Sequence, residues 1–393
     1  MFNSSSIVAL AGNGLRICGR FNAAYTLLPA PLGLEFNLKY FCAVAKKENM
    51  KHKYNYKWTL ADAKFTKDKG KVFSCFACGG GSTMGYKLAG FDVLGCNEID
   101  PKMIEVYKAN HNPKYAYLEP IQTFKLRTDL PDELYNLDIL DGSPPCSTFS
   151  TAGLREDAWG KEKMFREGQV EQVLDTLFFD FIDLAKKLQP KVVVAENVKG
   201  LLLGNAIQYV REIYRAFDLA GYYVQHWLLD ASKMGIPQRR ERVFFIALRK
   251  DLAEPFLEQV DMFTLAPKIN LEFKEPEIPI IEFVKGQPKK ETQNYSKTRF
   301  GDVMLDVNRA SNTIATDINR YWLDENTLID YESKKLIGSY PIDYDFKNEN
   351  PQYLIGMSVP PLMTAQIADR IFDYWLSKLP LKGKSGEGKN ILN

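Results

Sequence analysis

Lys71-Val72-Phe73-Ser74-Cys75-Phe76-Ala77-Cys78-Gly79-Gly80-Gly81-Ser82-Thr83-Met84-Gly85 decides the fold of this chain. Val72 to Phe76 is a short apolar run, the pattern of a buried strand, and the glycine cluster after it opens a helix. Glycines at such a turn let the backbone approach a ligand closely, and a helix amino end adds free N–H donors. Glu98 closes the next apolar run, where folds of this kind put an acid on ribose hydroxyls. The lack of a strict G-x-G-x-x-G argues against a dinucleotide. Cys75 and Cys78 also match C-x-x-C, but zinc would need a second ligand pair, and none of the three histidines, His52, His111 and His226, stands at ligand spacing from another. A redox pair remains the alternative use.

Working outward, short apolar runs alternate with amphipathic ones. Asp92 to Cys96, Leu137 to Leu140, Val192 to Ala195, Tyr223 to Leu229 and Val243 to Leu248 read as further strands. Pro101 to Ala109, Val173 to Leu188 and Ile207 to Ala220 read as helices between them. This alternation implies an α/β fold, a doubly wound and mostly parallel sheet with ligands beyond the carboxyl ends of its strands. It stops after Arg249. Residues 251–308, rich in prolines, charges and aromatics, read as a second, smaller domain. Residues 309–380 return to complete the first, with a helix from Met363 to Leu376 packing back on it, and 381–393 form a flexible tail. The first 70 residues are an N-terminal extension. Lys46-Lys47-Glu48 can be encoded by purine-rich codons like those of a ribosome-binding site, so Met50 is the expected natural start.

The composition is that of a globular chain able to fill two domains: 393 residues, 45% hydrophobic, 25% charged and a net charge of +2. A nucleic-acid surface would have to be local, and basic runs occur at Lys46 to Lys71, Arg239 to Arg242 and Lys285 to Arg299. Six scattered cysteines make no disulfide framework and fit a reducing compartment. No uncharged apolar stretch of about 18 residues is present, so no membrane partner is expected.

Three segments carry chemistry. In Leu140-Asp141-Gly142-Ser143-Pro144-Pro145-Cys146-Ser147, two prolines and a glycine fix the backbone at a cysteine that follows a strand, which presents a thiol rather than burying it. A lone cysteine is more often a small core residue, so its company decides. Glu196, in Val192-Val193-Val194-Ala195-Glu196-Asn197-Val198, ends an apolar strand, a place suited to a group that shares a proton. Gln238-Arg239-Arg240-Glu241-Arg242-Val243 enters a strand with Arg240 and Arg242 on one face.

In this order, together with Gln352-Tyr353-Leu354-Ile355-Gly356-Met357-Ser358-Val359-Pro360-Pro361, these segments resemble the cytosine-C5 DNA methyltransferases of prokaryotes, over roughly Lys71 to Leu379. The resemblance implies S-adenosylmethionine in the first site, with S-adenosylhomocysteine as product and no metal. Its cofactor residues would be Phe76 and Ile99 about the adenine, Gly80 and Gly81 near the methionine moiety, Glu98 on the ribose, Ser358 and Val359 closing the pocket, and with them Ala77 and Pro145. Cys146 would add to C6 of a cytosine flipped out of duplex DNA, Glu196 would act at N3, and Arg242 with Arg240 would hold O2 and favour the thiolate. Ser147 to Gln172 reads as a mobile loop closing over the extruded base.

The same likeness implies a target-recognition role for residues 251–308, with Gln287, Lys289, Asn294, Lys297 and Arg299 as candidate base readers. It further implies a cytoplasmic, nucleoid-associated monomer whose partners are double-stranded DNA and a restriction endonuclease acting on the same site without direct contact. Ser74 stands where the family often has Asp, Cys78 where it often has glycine, Glu119 where an Asp commonly approaches the adenine amino group, and Met357 where an Asn is usual. A transfer-RNA cytosine methyltransferase of the same fold is one alternative. Its relatives usually carry Cys-Phe-Thr in the recognition region, and residues 251–308 contain no cysteine. A catalytically silent DNA-binding regulator is the other, and the intact Cys146, Glu196 and arginine pair weigh against it.

Overall fold

The structure is a computed structural model that describes residues 52–145, 162–163, 172–173, 176–203, 206–260, 264–284, 302–316, 319–324 and 327–380, with strand residues 7–11, 14–18 and 28–29. The chain divides into two units, 1–53 and 54–393. The first carries three short antiparallel strands, β1 (Ile7–Ala11), β2 (Gly14–Cys18) and β3 (Leu28–Pro29).

The second unit is built on a seven-stranded sheet. Its strands are β4 (Lys71–Cys75), β5 (Asp92–Glu98), β6 (Tyr115–Leu118), β7 (Ile139–Gly142), β8 (Val192–Val198), β9 (Tyr222–Asp230) and β10 (Glu241–Arg249). They lie in the order β9-β10-β8-β7-β4-β5-β6. From β8 to β6 every pairing is parallel, whereas β10 runs antiparallel to both β8 and β9. The short return through Ala231 to Arg240 explains the reversal, because a parallel neighbour would need a longer crossover. The mostly parallel α/β sheet is therefore as expected, and the order reverses between β4 and β7, which opens a crevice at their carboxyl ends.

Alternating side chains feed two cores, one on each face. Phe73, Leu140, Val193, Ala195 and Phe245 pack with helices α3 (Leu177–Leu188) and α4 (Ala206–Leu219). Val72, Ile139, Val194, Phe244 and Ile246 pack on the other face with α7 (Pro361–Tyr374), the helix expected to return. That helix also lies on α1 (Gly81–Leu88), so closely that a Cβ on Gly85 would stand 2.3 Å from the Pro361 carbonyl oxygen. Helix α2 (Pro101–His111) starts on an Asp100 side chain that accepts from Lys102 and Met103 N–H, with Pro101 at its first position.

Two boundaries differ from expectation. Residues 172–173 pair as a short strand with 162–163, so α3 starts at Leu177 rather than Val173. Strand β6 was not anticipated, because Tyr-Ala-Tyr-Leu at a sheet edge is too short and too exposed to show a buried period. Beyond Arg249 the regular alternation stops, and the described residues hold short strand pairs, Leu257–Gln259 with Leu265–Pro267 and Asp302–Met304 with Arg320–Trp322. Two further helices follow, α5 (Tyr331–Ile337) and α6 (Pro351–Met357). Among the described residues no helix is long and apolar enough to cross a membrane.

Candidate active site

A cleft of about 750 Å³, counted out to its mouth, opens at the carboxyl ends of β4, β5 and β7. Phe76, Cys78, Glu98, Ile99, Ile121, Pro145 and Met357 are among the residues that line it. Its floor is strained: Phe76 (φ 52), Cys78 (φ 48) and Gly80 (φ 86) all adopt the left-handed backbone region, which costs an aromatic or cysteine residue on the order of 1–2 kcal/mol. Strain of this kind persists where surrounding contacts overdetermine it. Here the Cys78 N–H donates to Glu98 Oε2 at 2.7 Å, while the N–H groups of Ile99 and Asp100 donate to Oε1 at 2.8 and 2.9 Å. Burial pushes the Glu98 carboxyl up, and the backbone hydrogen bonds oppose it. Glu98 thus ties the loop after β4 to the end of β5.

The glycines are close-packed on the side where a Cβ would stand. A Cβ on Gly79 would fall 2.5 Å from Leu354 Cδ2, on Gly80 2.2 Å from His111 Nε2, and on Gly81 2.5 Å from the Val359 carbonyl. The protein itself occupies the space behind the loop, so glycine is required by packing there. Ser358 and Val359 pack against Gly81, and Ala77 is buried with Cys96, Ile104 and Tyr107. Burial pushes the thiols of Cys75 and Cys78 up, Cys78 to about 12, opposite to the lowering that makes a cysteine reactive. Glu119, at the rim, has its carboxylate engaged by Arg127 Nη1 at 2.9 Å and Thr123 Oγ1 at 3.0 Å.

Beside the cleft lies an ion pair. The antiparallel register sets Glu196 opposite Phe244 and Val198 opposite Arg242, so Glu196 and Arg242 are diagonal neighbours on one face. Arg242 Nε reaches Glu196 Oε1 at 3.0 Å, with side chains only 16% and 11% exposed. Burial draws the Arg242 guanidinium below its usual range and Glu196 opposes the shift. Asn197 Nδ2 donates to the Pro144 carbonyl at 3.3 Å, fastening the end of β8 to the segment that leads to residue 146. Cys146 itself lies outside the described residues, as do most of 147–172, the candidate base readers 287–299 and the tail 381–393.

Arg240 lies close enough to Arg242 and Glu196 to feel both charges. Pairing continues through it, its carbonyl accepting from the Ala231 N–H at 3.1 Å, and Glu241 between the two arginines is exposed. The Arg240 side chain, 2% exposed, donates from Nη2 to the Gly356 and Ser358 carbonyls at 2.8 and 2.9 Å and from Nη1 to Ile314 O at 3.4 Å. Burial first and the Arg242 charge second draw it down to about 9. Its hydrogen bonds hold the segment from Gly356 to Ser358.

Sequence reasoning missed Asp141, one residue before Gly142 at the end of β7. Its buried carboxylate accepts from Ser74 Oγ at 2.6 Å, Ser82 Oγ at 2.6 Å and Tyr86 OH at 3.1 Å, joining β7, β4 and α1. The polar Ser74 in an apolar strand was the available signal. Burial raises its pKa from 3.8 to about 6, with the hydroxyl hydrogen bonds opposing. A raised carboxyl pKa means that the folded state binds the proton more tightly. Stability therefore falls as pH rises from 3.8 to about 6 and levels off above, by on the order of 3 kcal/mol. Asp141→Asn is expected to remove that fall, seen as the difference between wild-type and variant melting temperatures across this pH range. Parallel profiles would contradict the assignment.

Comparison with known proteins agrees with the fold. The family model for C-5 cytosine-specific DNA methylase matches residues 70–336. The Type II methyltransferase M.FnuDI of Fusobacterium nucleatum is 37% identical over 185 residues, covering 46% of this chain and 48% of that protein. The Type II methyltransferase M.NgoPII of Neisseria gonorrhoeae is 32% identical over 250 residues, covering 61% and 67%. The chain thus spans about half the length of the first of these relatives. In fold it is similar to a putative DNA modification methyltransferase encoded within a prophage of E. coli, with a TM-score of 0.54 at 19% identity over 77% of this chain and 99% of that one. With its sheet order, its cleft and a family match over most of its length, this chain belongs to the C-5 cytosine-specific DNA methylase family.

Proposed function

We propose that the protein transfers a methyl group from S-adenosylmethionine to C5 of a cytosine flipped out of a specific double-stranded DNA sequence. The observation that carries this reading is the Arg242–Glu196 pair, fastened through Asn197 to the Pro144 segment and set beside the cleft at the same end of the sheet. The cleft suits the cofactor's chemistry: Phe76, Ile99 and Ile121 offer apolar surface for a purine, Glu98 an acceptor for a diol, and Pro145 and Met357 a lip. When bound, S-adenosylmethionine supplies a methyl group on a positively charged sulfur. Among the described residues no group of His, Cys, Asp and Glu is arranged to hold a metal.

C6 of cytosine is a poor electrophile and C5 a poor nucleophile. Thiolate addition from Cys146 to C6 turns the ring into an enamine that attacks through C5. Glu196 at N3 shares a proton with the adduct. Arg242 holds O2, and its Nε bond to Glu196 fixes both groups relative to one another. Loss of the C5 proton and expulsion of the thiolate then regenerate Cys146. Arg240 is a positioning residue that braces Ser358, and residues 251–308 serve target recognition.

The test incubates protein and methyl-labelled S-adenosylmethionine with duplex DNA or with transfer RNA, followed by base-resolved sequencing. The reading expects 5-methylcytosine in DNA at one sequence context. Label in transfer RNA alone would favour the alternative substrate, and label in neither would reject the function.

A further inference from the structure

The Gly79 carbonyl oxygen receives two side-chain donors from distant parts of the chain. His111 Nε2, at the end of α2, lies 3.2 Å from it, and the Tyr344 hydroxyl, from the turn between α5 and α6, donates to the same oxygen. His111 is 5% exposed and its Nδ1 has no partner among the described residues, so the proton belongs on Nε2, the one ring nitrogen with an acceptor. Burial first and Lys87 second hold its pKa down to about 3, which keeps it a neutral, single-donor ring. Both side chains are fixed in turn. Tyr107 meets the His111 ring edge-on at 4.7 Å, and Tyr344 packs between Tyr340 at 4.9 Å and Phe346 at 4.7 Å.

Three consecutive glycines have the widest conformational freedom in the chain, and a loop free to sample it must be ordered each time a ligand binds. Two donors on one carbonyl fix the plane of the peptide joining Gly79 to Gly80. The neighbouring Gly80, at φ 86, closes over His111 with no room for a Cβ. The front of the loop, with Phe76 and Cys78, is left to the cleft.

We infer that His111 and Tyr344 are positioning residues for cofactor binding, which act by clamping the Gly79 carbonyl and so presetting the loop before S-adenosylmethionine arrives. The inference rests on the reading that this cleft takes that cofactor. Neither residue is among those lining the cleft, so their loss weakens cofactor binding and spares the chemical step.

Tyr344→Phe removes one hydroxyl and keeps the ring. His111→Leu removes the other donor, and His111→Gln retains an N–H of similar reach. Cofactor affinity is measured by calorimetry on the DNA-free protein, methylation rate at saturating S-adenosylmethionine, and folding by melting temperature. Tyr344→Phe and His111→Leu are each expected to raise the cofactor Kd about five-fold, as for a lost hydrogen bond. The double variant should exceed either, His111→Gln should recover to within about two-fold, and the saturated rate should stay near wild type. An unchanged Kd in folded Tyr344→Phe, or equal losses in Kd and saturated rate, would overturn the inference. Wild-type protein that fails to bind S-adenosylmethionine would instead remove the underlying reading, and the inference with it.

Discussion

Cys146→Ser is expected to abolish methyl transfer, by on the order of 10⁴-fold or more, while S-adenosylmethionine and duplex DNA still bind. The substitution changes one atom. A thiol ionises near neutral pH and its sulfur adds readily to an electron-poor ring carbon, whereas a serine hydroxyl stays protonated and adds poorly. Without addition at C6, C5 never becomes nucleophilic, and a correctly placed Glu196 and Arg242 have no adduct to stabilise. Steady-state transfer of labelled methyl groups, with binding measured in parallel, checks both halves. Retention of more than about one hundredth of wild-type turnover would mean that the reaction does not pass through this thiol.

The second large effect belongs to the ion pair. On the proposed mechanism Glu196→Gln keeps the shape of the side chain but cannot share a proton at N3, and a loss of about 10²- to 10⁴-fold in kcat is expected. Arg242→Met leaves Glu196 as a buried carboxylate without the guanidinium at 3.0 Å, which is expected to cost about 3–5 kcal/mol of stability besides the proposed contact at O2. The two losses are coupled: the double variant should be more stable than the sum of the single effects, because neither charge is left alone. Chemical denaturation of the four proteins measures the coupling. Strict additivity would show that the 3.0 Å contact contributes little to the fold.

The sheet was legible because its strands are buried on both faces and therefore read as continuous apolar runs, as Val192 to Ala195 does. Glu98 and Glu196 stood out for the same reason, each an acid at the end of such a run. What sequence could not supply were relations between distant segments. Asp141 looks like any strand-end acid until Ser74, Ser82 and Tyr86 converge on it. His111 and Tyr344 carry no motif at all, and only the fold brings both to Gly79 O. The period of Arg240 and Arg242 was legible, but not the reach of the Arg240 guanidinium to the carbonyls of Gly356 and Ser358. The glycine cluster stood out in the sequence, but not the close packing of Leu354, His111 and Val359 against it.

The central claim, a covalent path through Cys146 to cytosine in DNA, is tested most directly by trapping. A duplex carrying 5-fluorocytosine at the methylated position blocks the final loss from C5, so with S-adenosylmethionine the protein should stay attached to the DNA. Mass spectrometry of the digested complex should find the nucleotide on the peptide containing Cys146, and Cys146→Ser should give none. An adduct that survives that substitution, or methylated DNA with no trapped complex at all, would contradict the account.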